Sequence, residues 1–370
     1  MYNECYGELV KMSSKTENKL PRKQKRVTIK DISAAAGVSI RTVSLVMNNT
    51  GRISEATRKK VYKIMKKYNY QPNILARGLV NDKTYMFGVN IPYLDLSFIN
   101  TIITGMEQKC IDLGYELLLT TMGVSDISFS DYNINLLNNS IERLIFRHVD
   151  GIACFPAEGA LDHYKMILER GIPLIQLLRP ISALDCPTIT VDNRKGMYLA
   201  AKYLLSEGRR HIGFLNYKGS QFSEVEERYA GFIGANEENG IDVDLKRYVV
   251  SCNLDYRGGY EGAKTLIERC PKLDAILSPT DYAAAGAVRA CMDMNKKVPE
   301  RISIIGYDDM DFTQLQGYKS LSTVRQPKRQ IGILAVDMLN RIIQGKKVSS
   351  IVLEPELVLR DTSAPKKTAK

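Results

Sequence analysis

The chain has 370 residues, 44% hydrophobic and 25% charged, enough for two or three domains with sizeable cores. Its net charge of +11 is unevenly placed: residues 1–80 hold 17 Lys+Arg against 5 Asp+Glu (net +12), and the other 290 hold 35 against 36 (net −1). That split points to phosphate neutralisation by the N-terminal part, while a membrane span is excluded because no apolar run is long enough.

The first 26 residues read as a disordered basic arm ending in KLPRKQKR (Lys19–Arg26). It is either a solvated tail or an extra phosphate contact, and Met12 is an alternative start. No signal-peptide core precedes the first domain. The seven cysteines (5, 110, 154, 186, 252, 270, 291) are scattered and form no CxxC, so they read as free thiols in a reducing cytoplasm.

Thr28–Asn49 reads as two short helices around a tight turn. Thr28 is the expected N-cap, with Asp31 completing an acidic capping box. Gly37 suits a left-handed exit, Ser39 suits the next cap, and Val43, Val46 and Met47 face inward. Ile40, Arg41, Ser44, Leu45 and Asn48 are left on other faces, the design of a DNA-reading helix-turn-helix or of an ordinary helical hairpin. Ser54 caps a third helix whose inner stripe is Thr57, Val61, Ile64, Met65 and Tyr68, with lysines 59, 60, 63, 66 and 67 elsewhere. Pro72 closes this unit, residues 27–72. Residues 73–83 form a linker in which Asn73–Val80 is too short to be a stable helix alone.

From Tyr85 onward strands and helices alternate. Strands are expected at 85–91, 115–120, 149–155, 173–178, 211–216, 247–251, 274–278 and 302–307. The helices between them run over 98–113, 136–147, 164–170, 195–207, 225–239, 258–270 and 281–295. This rhythm predicts an α/β core of doubly wound parallel sheets in two lobes, with Thr188–Asp192 as the seam and a ligand cleft at the strands' carboxyl ends.

The motifs TIKDISAAAGVSIRTVSLVMNN, ISEATRKKV, YQPNILARGL, HVDGIACFP, VDNRKG, VPERISIIGYDD, LSTVRQP and LVLRDTSAP stand in this order over residues 27–364. Together they resemble the LacI/GalR family of transcriptional repressors. The resemblance implies an all-α helix-turn-helix headpiece followed by a periplasmic-binding-protein-like core over 84–360. Its N-lobe is expected at about 84–190 and 324–345, its C-lobe at about 191–323 and 346–360, with a tail at 361–370. It also implies a homodimer on double-stranded operator DNA and a small-molecule effector, a sugar or other metabolite. The tail carries no leucine heptads that would indicate a coiled-coil tetramer.

On this resemblance Ser39, Ile40 and Arg41 stand nearest the bases, with Thr28, Ser44, Leu45 and Asn48 in the same interface. Arg41 either reads a guanine or contacts a phosphate. Asn73, Ala76 and Leu79 correspond to the hinge helix, where Leu79 is either a minor-groove wedge or packs on its symmetry mate. Arg228 and Asp308 match the effector-binding arginine and cleft aspartate, though a lobe-to-lobe ion pair would use the same residues. Phe98 either lines the pocket or packs in the core, Thr280 stands where asparagine is common, and Asp281 either lines the pocket or caps its helix. Leu45, Leu178 and Leu254 depart from the family pattern, and with Thr280 the last two weaken the expectation of a sugar effector.

A solute-binding protein of the same core fold is the alternative, opposed by the basic headpiece. No GxGxxG after a strand, P-loop, HExxH or GxSxG is present, and His148, His163 and His211 show no metal spacing. No catalytic residue, metal or cofactor is therefore expected, and the site of action is the cytoplasm, on the nucleoid.

Overall fold

The computed structural model describes residues 27–47, 51–70, 83–91, 97–121, 134–217, 223–314 and 319–363. Two compact units divide at Asp82/Lys83.

In the first unit, α1 (Ile29–Ala36) begins at Thr28, whose hydroxyl accepts from the Asp31 backbone N–H. The Asp31 carboxylate in turn accepts from Thr28 N at 2.8 Å, which completes the expected capping box. Gly37 leaves the helix at φ 61°, and the Gly37 and Val38 N–H groups close on the Ala34 and Ser33 carbonyls. Helix α2 (Ile40–Met47) starts at Ser39, whose hydroxyl accepts from Thr42 N at 3.0 Å. Helix α3 (Glu55–Lys67) starts at Ser54 in the same way. Ile32, Ala36, Val43, Val46 and Val61 are fully buried where the three helices meet. Tyr68 is a correction: the helix ends at Lys67, and Tyr68 leaves it as the cap residue and is 43% exposed. Tyr70 packs on this core instead, after its N–H closes on the Met65 carbonyl.

The second unit holds two six-stranded sheets. The first contains β1 (Met86–Ile91), β2 (Glu116–Thr121), β3 (Gly151–Cys154), β4 (Leu174–Leu177), β5 (Thr188–Val191) and β11 (Ile351–Leu353), in the order β11-β5-β4-β3-β1-β2. All its pairs are parallel. The second contains β6 (Ile212–Tyr217), β7 (Val249–Cys252), β8 (Ala275–Leu277), β9 (Ser303–Asp308), β10 (Ser322–Arg325) and β12 (Glu356–Val358), in the order β12-β10-β9-β8-β6-β7. Only the β10–β12 edge pair is antiparallel among its described pairs. The first lobe's helices are α4 (Ser97–Leu113), α5 (Ile134–Phe146), α6 (Leu161–Glu169) and α12 (Lys328–Ile343). The second lobe's are α7 (Asn193–Ser206), α8 (Ser223–Glu238), the short α9 (Leu245–Tyr248), α10 (Tyr256–Arg269) and α11 (Asp281–Asp293).

The seam falls after β5, near Asp192, and the other crossings lie at 326–327 and 354–355. Three expected boundaries change, the first being that Thr362 and Ser363, expected in the tail, are buried in the second lobe, where Thr362 Oγ1 donates to the Ile304 carbonyl at 2.8 Å. Residues 324–325 belong to the second lobe, because Val324 and Arg325 pair with Tyr307 and Asp308 of β9. Residues 346–353 belong to the first lobe, because Ile351–Leu353 extends its sheet by pairing with Ile189–Val191. The strand expected from residue 247 begins two residues later, since Asp244 caps a single helical turn there.

Each lobe rests on helix pairs brought close by glycine. A methyl group at Gly332 of α12 would overlap the Ile102 carbonyl oxygen of α4, and one at Gly105 would overlap the Arg329 carbonyl oxygen. Backbone atoms cannot yield as a flexible side chain can. Gly332→Ala is therefore expected to lower core stability by about 1–3 kcal/mol through overpacking. Thermal denaturation against the wild type checks this, with Gly171→Ala, which meets no neighbouring atom but sits at φ 70°, as a comparison of backbone strain alone.

Candidate functional site

On the headpiece, Ile40 is 43% exposed and Arg41 is exposed beside it at the start of α2. Both project from the helix's outer side because Val43 and Val46 occupy the inner one. Ser39 shares its hydroxyl between Thr42 N and the Thr42 side chain, 2.9 Å away, so capping already orients it. Ser44 is half-buried, and Leu45 is half-buried with its methyls facing Gly51. Thr28 is exposed but tied to Asp31, its hydroxyl donating to that carboxylate at 2.7 Å. Asn48, Asn73, Ala76 and Leu79 lie outside the described residues, as does the arm 1–26.

In the core, Arg228 and Asp308 come together between the strand ends of the second lobe. Arg228 lies on α8 and is 5% exposed. Its Nε donates to Asn193 Oδ1 at 2.9 Å and its Nη1 to the Pro279 carbonyl at 2.5 Å. Nη1 also stands 3.7 Å from Asp308 Oδ1, and the guanidinium carbon lies 3.7 Å from the centroid of the Tyr307 ring. A cation over an aromatic face gains from the ring quadrupole, more so when desolvated as here. Asp308 closes β9, and Gln326 Nε2 donates to its Oδ1 at 2.7 Å. Burial pushes the Asp308 carboxyl above its usual range, against the opposing pull of Arg228, Gln326 and Lys328.

The backbone at this strand end is unusual. Asp308 (φ 110°) and Asp309 (φ 50°) are successive non-glycine residues in positive-φ regions. Lys328, the first residue of α12, donates its ammonium to both of their carbonyls at 2.7 and 2.6 Å. Asp309 binds Arg325 and Arg360, each at 2.6 Å. Burial alone would raise the Asp309 carboxyl, but those two arginines outweigh it and hold it below the usual range. A strained turn is thus fixed by cations from the crossing segment and from the C-terminal strand region.

Phe98 is half-buried on the first turn of α4, with the Lys328 ammonium 5.7 Å from its ring centroid. That contact places Phe98 in the first lobe beside the turn carrying Asp308. Thr280 is the N-cap of α11, accepting from Ala283 N at 3.2 Å and donating to the Leu254 carbonyl at 2.8 Å. Two of the departures from the family pattern, Leu254 and Thr280, are therefore bonded to each other, and Leu254 is buried in the second lobe's core.

Asp281 is not a cleft residue here, which corrects the sequence expectation. Its side chain is fully buried, with Oδ2 accepting from Met310 N at 2.8 Å and Oδ1 from the Thr323 hydroxyl at 2.6 Å. Nor does it cap its helix, since Thr280 does. Burial, then the nearby Asp308 carboxylate, push its carboxyl well above the usual range. It holds the Asp308–Met310 turn from behind. Sequence reasoning gave no role to Asn193, Tyr307, Gln326 and Lys328, although the first three lie inside the quoted motifs VDNRKG, GYDD and LSTVRQP.

A separate three-helix unit with Ile40 and Arg41 exposed on its second helix and lysines exposed on its third, ahead of a two-lobed core with a buried Arg–Asp pair at its strand ends, defines a DNA-binding regulator with a ligand-receiving core. Residues 28–73 match the family described as "Bacterial regulatory proteins, lacI family", and residues 201–363 the "Periplasmic binding protein-like domain". The HTH-type transcriptional regulator DegA of Bacillus subtilis (strain 168) is 32% identical over 345 residues, 93% of this chain and 100% of that protein. The HTH-type transcriptional repressor PurR of Pasteurella multocida is 31% identical over 336 residues, 90% of this chain and 97% of that protein. Among solved structures, a lac repressor bound to ONPG in the repressed state superposes with a TM-score of 0.78 at 25% identity, covering 92% of this chain and 100% of that one. A complex of the transcriptional regulator CelR with cellobiose gives 0.66 at 25% identity, covering 91% and 100%.

The chain belongs to the LacI family of DNA-binding transcriptional regulators. Its relatives are transcriptional regulators rather than enzymes. Among the described residues no helix is long and apolar enough to cross a membrane.

Proposed function

We propose that the chain is an effector-controlled repressor that acts in the cytoplasm, as a homodimer on a pseudo-palindromic operator. A twofold protein matches a twofold site, with one recognition helix per half-site. The observation that carries the DNA-binding half is the exposed pair Ile40–Arg41 at the start of a capped recognition helix, in the part of the chain holding all the excess positive charge. Arg41 is assigned to a guanine and Ile40 to a thymine methyl. Ser39, Ser44, Leu45 and Asn48 complete that surface, and Thr28 contacts the backbone. Asn73, Ala76 and Leu79 are assigned to the minor groove by resemblance alone, with Leu79 as the wedge.

The effector half rests on Arg228 and Asp308, with Phe98 on the opposite lobe. An arginine fork and a carboxylate suit a small metabolite with hydroxyl or acidic groups. The lac repressor with ONPG and CelR with cellobiose support a small-molecule ligand. Leu254 and Thr280 are engaged with each other, and Leu178 lacks the polar group common in relatives, so recognition here uses fewer side-chain hydrogen bonds. Effector binding would shift the population of lobe arrangements and through it the pairing of the two hinges.

Arg41→Ala tests the reading. Operator binding is expected to weaken by about 1–3 kcal/mol, with base preference relaxed at one position per half-site. Fluorescence anisotropy on operator and on random duplex separates the outcomes. Equal losses on both would make Arg41 a phosphate contact.

A further inference from the structure

Arg179 and Glu224 form an ion pair that bridges the two lobes away from the crossing segments. Arg179 follows β4 of the first lobe, and Glu224 lies in the first turn of α8 in the second. Arg179 Nε donates to Glu224 Oε2 at 2.9 Å, and Arg179 Nη2 donates to Glu224 Oε1. Such a two-pronged pair has both charge and fixed geometry, unlike a single-contact surface bridge. Its side chains are only 27% and 19% exposed.

Local structure on both sides aims the pair. Leu178 stands at φ 67°, and Arg179 N–H donates to the Leu177 carbonyl at 2.8 Å, closing a three-residue turn. That turn takes the chain abruptly off the strand, and a leucine there is strained. Glu224 precedes Arg228 by one helical turn, so both lie on one face of α8. Its charge is among those that raise the Asp308 carboxyl.

We propose that Arg179–Glu224 is a latch, through which the chain's own carboxylate holds the two lobes at this spacing before any effector enters. This rests on reading the cleft as the effector site. Arg228 is engaged alike, by Asn193, the Pro279 carbonyl and Asp308. Protein acceptors thereby occupy both arginines. Among the described residues, Ser97 Oγ to Met310 Sδ at 3.6 Å also joins the lobes but is uncharged and weak, and Lys328 reaches the Asp308 and Asp309 carbonyls beside a crossing segment. An effector that reopens or retightens the lobes works against Glu224.

The test is the interlobe distance in full-length, effector-free protein. Spin labels on non-canonical residues at positions 165 (first lobe) and 237 (second lobe), both exposed, are measured by pulsed dipolar spectroscopy. Doubly labelled protomers are diluted with unlabelled ones, so that one pair per dimer is read. Glu224→Gln is expected to shift the distribution to longer separations and to broaden it. The double variant Arg179→Glu/Glu224→Arg is expected to bring it back toward wild type. A Glu224→Gln distribution that superimposes on wild type overturns the latch, as does a charge-swapped protein as open as the single variant. Operator binding of the same samples is recorded in parallel. Its absence in wild type with the distance shift intact would refute the repressor reading and leave the latch standing.

Discussion

Replacing Arg228 by alanine is expected to destabilise the core by about 3–5 kcal/mol, the usual consequence of removing one partner from a buried charge pair. At about 2 °C per kcal/mol for a domain of this size, its unfolding midpoint falls by roughly 6–10 °C. The loss has several parts. Asp308 keeps a carboxylate that burial already pushes upward, now without the guanidinium opposing that rise. Asn193 Oδ1 and the Pro279 carbonyl each lose a donor inside the fold, and the Tyr307 ring loses the cation on its face. Gln326 and Lys328 still serve Asp308, which places the effect nearer the lower end. Arg228→Lys retains the charge but not the planar fork, and is expected to fall between wild type and alanine. In the double variant Arg228→Ala/Asp308→Asn the stranded charge is gone, so the loss is smaller than in Arg228→Ala alone. Thermal melts of wild type, Arg228→Ala, Asp308→Asn and the double variant form a cycle that measures the coupling. An Arg228→Ala melt within one degree of wild type would mean that the pair does not organise this strand end.

Operator affinity is expected to collapse with salt. If the dimer contacts about six to ten phosphates, affinity falls about 10³–10⁵-fold between roughly 50 and 200 mM salt, because each neutralised phosphate releases condensed counterions. The cations are available: residues 1–80 carry 17 Lys+Arg, and lysines 59, 60, 63, 66 and 67 are exposed on α3. The other 290 residues are nearly balanced at −1, so the steep dependence belongs to the N-terminal part. Anisotropy titrations on operator DNA across this range give the slope of log K against log salt. A flat line would contradict phosphate neutralisation as the source of affinity.

The headpiece was the most legible part of the sequence because its signals are local. Thr28 with Asp31, Gly37, Ser39 and Ser54 all lie within three or four residues of the groups they satisfy, and each acts as its residue type predicts. Tyr68 failed because an apolar stripe does not say where a helix stops. In the core, alternation located most strands and helices to within two or three residues. The return of the chain between lobes was hidden for a physical reason. Ile351–Leu353 and Glu356–Val358 are too short to show any period, and their partners, Ile189–Val191 and Thr323–Arg325, are remote in sequence.

The site was legible in part. Motifs picked out Arg228 and Asp308, which the fold brings within 3.7 Å. They could not separate Asp281 from a pocket residue, because an acid at the start of a helix looks the same whether it faces solvent or lies under β9. Only the packing of Met310 and Thr323 over its carboxylate tells them apart. Asn193, Tyr307 and Lys328 acquire their roles through residues remote in sequence, Arg228 for the first two and Asp308, Asp309 and Phe98 for the third. The interlobe pair Arg179–Glu224 is of this kind as well.

The most direct measurement is a selection of bound duplexes from random-sequence DNA by the full-length protein, followed by sequencing. A dimer reading DNA through α2 enriches one twofold-related sequence, two half-sites reading alike on opposite strands, with a guanine whose preference disappears in Arg41→Ala. Enrichment of no sequence, or of one without twofold symmetry, would contradict a dimer reading an operator through α2.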